Sequence, residues 1–134
     1  MKKMFICMLF MFTFSLQAAQ IEPKDMISEF FSSIIKGNVS VAYDKLFFGS
    51  SIPADKPQAV NLLKQQTKNG LSLYGKMLGY EYISKEKYGK SILRYVYILK
   101  LEKGPVVWVF YFYKPKDKWI LANVTFNDQL DLLR

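Results

Sequence analysis

Between Met77 and Asn127 the chain runs through four strand-like segments joined by turns too short to cross over a sheet. The segments are residues 77–85, 91–101, 106–113 and 118–127. Tyr88-Gly89-Lys90, Glu102-Lys103-Gly104-Pro105 and Lys114-Pro115-Lys116-Asp117 turn the chain between them. Successive strands with such connections must pair antiparallel, so this half of the chain is a meander. Its first and third turns then lie at one end of the sheet and its second turn at the other.

The half before it reads as helix. Met26, Ile27, Phe30, Phe31, Ile34 and Ile35 recur at spacings of three and four, after Pro23 at the helix start and before Gly37 at its end. Asn38 is a suitable cap for a second helix, with Val39, Ala42, Tyr43, Leu46 and Phe47 on its buried face. Residues 49–55 read as a loop, and Pro57 opens a third helix with Val60, Leu63, Thr67, Leu71 and Tyr74 on one side. The expectation is one α+β domain over residues 20–134, with three helices packed on one side of the sheet.

The third strand decides what lies on the other side. Val107, Val109, Tyr111 and Tyr113 occupy one face and Val106, Trp108, Phe110 and Phe112 the other, so it is apolar on both. A strand with one face in water alternates apolar with polar residues. Helices cover one side only, and a second copy of the chain is the simplest cover for the other. This predicts a homodimer through the sheet, with the contact drawn from Val109, Phe110 and Tyr111.

Two stretches carry a family resemblance. Phe30-Phe31-Ser32-Ser33-Ile34-Ile35-Lys36-Gly37-Asn38, followed by Ala42-Tyr43-Asp44-Lys45-Leu46, resembles the opening helix pair of the nuclear transport factor 2-like superfamily. Lys118-Trp119-Ile120-Leu121 resembles the start of that superfamily's final strand. The resemblance implies a curved, cone-like four-stranded meander whose concave side and helices enclose a pocket, and dimers through the sheet. In such a cone Tyr43, Tyr74, Tyr95, Tyr97 and Trp108 are the candidate lining for a small apolar ligand. Arg94 is the candidate for an anionic head group. The superfamily includes ketosteroid isomerase, whose chemistry uses a carboxylate base with tyrosine and acid donors. The chain has no histidine, and only Asp44, beside Tyr43, offers a carboxylate for that role.

The N-terminus reads as an export signal covering residues 1–19. Lys2 and Lys3 precede an apolar run from Met4 to Phe14, and Ser15, Ala18 and Ala19 mark a cleavage zone between residues 17 and 20. That run falls short of the about 20 residues needed to span a bilayer. The lone cysteine, Cys7, lies inside the signal, so the domain has no thiol ligand, nucleophile or disulfide. Without His or Cys, a zinc, copper or haem site lacks its usual ligands, and no cofactor is expected. No nucleic-acid motif occurs.

The net charge of +8 becomes +6 once Lys2 and Lys3 leave. The meander gathers Lys85, Lys87 and Lys90 with Lys114, Lys116 and Lys118 at one end, a basic patch suited to an acidic protein or an anionic surface. The expectation is a periplasmic or secreted non-enzymatic binding module of the bacterial envelope, holding an apolar ligand in the cone or a protein on the sheet. A ketosteroid-isomerase-like pocket enzyme and an immunity-type protein antagonist are the alternatives.

Overall fold

A computed structural model describes residues 20–134, so the export signal, its cleavage zone and Cys7 lie outside the described residues. The helical half contains α1 (Pro23–Ile35), α2 (Val39–Leu46), α3 (Ile52–Asp55) and α4 (Pro57–Leu73). The sheet contains β1 (Met77–Tyr88), β2 (Ile92–Leu101), β3 (Gly104–Tyr113) and β4 (Ile120–Asn127). A short 3₁₀ turn, η1 (Leu130–Leu133), follows. Four helical segments thus stand where three were expected, because Ser51-Ile52-Pro53-Ala54-Asp55 closes a single helical turn inside the segment read as loop.

Gly37 stops α1 as its position suggests. It takes φ +81°, its N–H donates to Ile34 O at 2.9 Å, and the Asn38 N–H donates to Ser33 O at 2.9 Å. These two bonds form a Schellman closure around a left-handed residue, a conformation a Cβ disfavours. Asn38 does not cap α2 with its side chain; its backbone carbonyl takes the Ala42 N–H at 3.0 Å instead.

The sheet is the antiparallel meander expected, in the order β1-β2-β3-β4. It is open and flat, which corrects the cone-like architecture and the superfamily resemblance that implied it. β1 and β4 never meet and remain edges. The physical reason lies in the register. Strongly bent sheets concentrate bulges where they turn. Here the central pair, β2 and β3, stays in uninterrupted register from Ile92↔Tyr113 to Leu101↔Gly104. Irregularities fall only on the edge strands, at Met77/Gly79 and Tyr82/Ser84 in β1 and opposite Tyr111/Phe112 in β4.

The helices bury one face of the sheet. Phe30 and Phe31 of α1 reach its centre, where the Phe30 ring lies 5.1 Å from Tyr43, 5.2 Å from Trp108 and 5.6 Å from Phe110. Trp108 stacks in turn on Phe126 at 4.7 Å. Aromatic rings at such separations gain from edge-to-face and offset contacts as well as from area burial. They also fill the space that a cone would leave for a ligand.

The other face carries a second, smaller apolar cluster of Val96, Val107 and Val109. Leu132 and Leu133 of η1 fold back onto it, with Ile83 and Tyr111 at its margin. The chain's own C-terminal turn thus packs against the second apolar face of β3.

Candidate functional site

The six residues expected to line one pocket fall into three places. Tyr43, Tyr95, Tyr97 and Trp108 are buried in the core under the helices. The Tyr43 hydroxyl lies 2.7 Å from Thr67 Oγ1, and Thr67 Oγ1 lies 2.8 Å from Leu63 O. Since the Thr67 proton goes to the Leu63 carbonyl, the Tyr43 hydroxyl is the donor to Thr67. Burial pushes the Tyr43 phenol well above its usual range. Tyr97 is pushed up to about 12, first by burial and then by Tyr95, Tyr80 and Tyr82 around it. Trp108 Nε1 is buried without a hydrogen-bond partner among the described residues.

Tyr74 lies at the margin of that core, just after α4, where its hydroxyl donates to Asp128 Oδ2 at 2.7 Å. That bond to a carboxylate raises its pKa. Arg94 lies on the opposite face of the sheet, ion-paired with Glu86 and 3.4 Å from Leu132 O. Glu86 also accepts the Tyr88 hydroxyl at 2.7 Å, and these partners hold its carboxyl below the usual range. Tyr43 and Asp44 diverge as well: Asp44 faces outward and takes Lys64 Nζ at 2.7 Å.

The proposed interface residues divide between the two faces. Phe110 is fully buried under the helices, Val109 lies in the cluster beneath η1, and Tyr111 is half-buried at its margin.

The Lys114 N–H donates to Ser91 O at 2.9 Å and ties the third turn of the meander to the first. Lys85 Nζ lies 5.5 Å from the centre of the Tyr95 ring, and Lys114 Nζ lies 5.3 Å from that of Trp119. Among the described residues, none of Lys85, Lys87, Lys90, Lys114, Lys116 and Lys118 forms a salt bridge. Glu86, the acid nearest in sequence to the first three, is taken by Arg94.

The sequence reading missed a groove along β4. Lys56, Val60, Leu63 and Gln66 form its helix side, and β4 forms its floor from Ala122 to Phe126. It consists of two open depressions of about 440 and 200 Å³ that share Leu63 and Val124. The signal for it was present, since Ile120–Asn127 contains no charged residue whereas Met77–Tyr88 contains Glu81, Lys85, Glu86 and Lys87. Edge strands are commonly protected by charge, and β4 has no charge of its own.

Among the described residues no group of His, Cys, Asp and Glu is arranged to hold a metal ion, and no helix is long and apolar enough to cross a membrane. The chain matches no protein-family model, no curated protein and no solved structure.

Proposed function

We propose that this chain is an exported, non-enzymatic binding module that holds an acidic protein partner on the outside of its sheet. The observation that supports this reading is the Lys114–Ser91 bond, which joins the first and third turns of the meander, whose six lysines form no salt bridge among the described residues. A concentrated positive field of this kind raises the encounter rate with acidic proteins and is screened by salt. The aromatic packing under the helices supports a partner outside rather than a ligand inside, because Phe30, Trp108 and Phe110 occupy the middle of the domain.

Native mass spectrometry of the protein recovered from the cell envelope tests the reading. The expected result is a complex with an acidic protein that dissociates as salt is raised from about 0.1 M to 1 M, where the Debye length falls from about 10 Å to 3 Å. The quadruple variant Lys87→Gln, Lys90→Gln, Lys114→Gln, Lys116→Gln should fail to capture it. A retained small apolar molecule, or equal capture by both proteins, would contradict the proposal.

A further inference from the structure

We infer that the β4 groove accepts an extended acidic segment of a partner protein as a fifth strand of the sheet. The inference rests on the binding-module reading and gives it a site and a mode.

Backbone geometry supplies the first argument. Leu101 and Gly104 flank a two-residue turn, so they form a hydrogen-bonded pair. Counting along the uninterrupted β2–β3 register, the even-numbered residues of β3 bond to β2 and the odd-numbered ones to β4. Val107, Val109 and Tyr111 therefore bond to Asn127, Thr125 and Asn123. Val124 and Phe126, between them, turn their N–H and C=O groups away from the sheet. No hydrogen bond from another described part of the chain reaches these groups. An added strand would satisfy them at the regular spacing of a ladder.

The flanks supply the second argument. A bare edge in open water attracts any strand, but this one is overhung by α4. Alternate side chains of an added strand would pack against Val60 and Leu63, which gives the groove a preference for apolar residues at every second position.

Charge identifies the occupant. Lys56 lines the groove and no carboxylate does. Lys116 and Lys118 precede Ile120, where the strand begins. An acidic segment with alternating apolar residues is complementary to this arrangement. A second copy of the chain would bring another surplus of positive charge to the same edge, so the partner segment is favoured over self-pairing.

The test uses a fluorescent synthetic heptapeptide of alternating Glu and Val. It is compared with the same peptide carrying N-methyl groups on alternate backbone nitrogens, and with one in which Lys replaces Glu. Binding is followed by anisotropy, and amide exchange of the protein by NMR. The acidic peptide should bind and slow exchange at Val124 and Phe126, while N-methylation weakens it at least about tenfold through loss of the ladder. Lys56→Glu should weaken the acidic peptide and strengthen the lysine one.

Val124→Pro removes an outward N–H, a substitution edge strands tolerate, and should abolish binding. Because Val124 also packs in the core, the N-methyl comparison decides the matter if this variant unfolds. No binding at millimolar peptide, or equal binding of the N-methylated peptide, would overturn the inference. So would concentration-dependent dimerisation that protects the same amides. Failure here, with salt-sensitive and lysine-dependent capture of the native partner intact, would remove the groove and leave the binding-module reading standing.

Discussion

Removing the Thr67 hydroxyl should destabilise the protein more than removing the Tyr43 hydroxyl it receives. Tyr43 is fully buried, and Thr67 Oγ1, at 2.7 Å, is its hydroxyl's one hydrogen-bond partner among the described residues. Thr67→Val keeps the shape of the side chain and leaves a phenolic O–H with no acceptor. Such an orphaned buried donor costs about 1–3 kcal/mol. Tyr43→Phe is milder, because Thr67 still donates to Leu63 O at 2.8 Å and no polar group is stranded. Its cost should be about 1 kcal/mol, the net value of an ordinary hydrogen bond. The double variant strands nothing and should resemble Tyr43→Phe alone, so the two changes are coupled by the whole Thr67→Val cost, about 1–3 kcal/mol. Urea unfolding of the four proteins measures all of these terms. Additive losses, or a Thr67→Val protein as stable as the parent, would show that water reaches the Tyr43 hydroxyl and would refute the filled-core argument.

Other outcomes are equally specific. Gly37→Ala should cost about 1 kcal/mol in urea, since a Cβ there meets nothing within 4 Å and only the strain of φ +81° remains; an unchanged midpoint would contradict the Schellman closure. Removing residues 130–134 should uncover Val107 and Val109, lower stability by about 1–3 kcal/mol and induce self-association visible by sedimentation; an unaffected monomer would show that η1 covers nothing. Raising the pH provides a further check, because the folded chain holds the Tyr43 and Tyr97 protons that an unfolded chain gives up near pH 10. The stability from these neutral phenols is complete below about pH 10 and is lost as pH rises from there, through about 12 for Tyr97 and further still for Tyr43. In an absorbance titration paralleled by circular dichroism, part of the tyrosine signal should lag until the fold is lost; a single step near pH 10 with native dichroism would contradict the burial.

The strands and their order were legible because turn chemistry and period-two patterning are local. Gly89, Gly104 and Pro115 mark the reversals, and short reversals force the meander. Curvature was not legible. Whether a meander closes toward a cone depends on where bulges fall, and these lie outside the central pair, at residues such as Gly79 and Ala122 whose neighbours give no pattern. The covering of Val109 was hidden for a similar reason: Leu130–Leu133 is a single turn, too short for periodicity to reveal a face. An aromatic that fills a core and one that lines a cavity have the same sequence pattern, so nothing in the sequence separates the two roles for Tyr43, Tyr97 and Trp108. That the first and third turns share an end follows from topology alone, and the Lys114–Ser91 bond joins them. The β4 groove needed α4 to be positioned before its floor and wall could be seen together.

Amide hydrogen exchange along β4 in dilute, partner-free protein tests the open sheet most directly. The account predicts an alternation: the Asn123, Thr125 and Asn127 amides, bonded to β3, exchange slowly, while those of Val124 and Phe126 exchange at rates close to those of free backbone. Slow exchange at all five positions would mean that another strand already occupies this edge, and would contradict both the open architecture and the groove built on it.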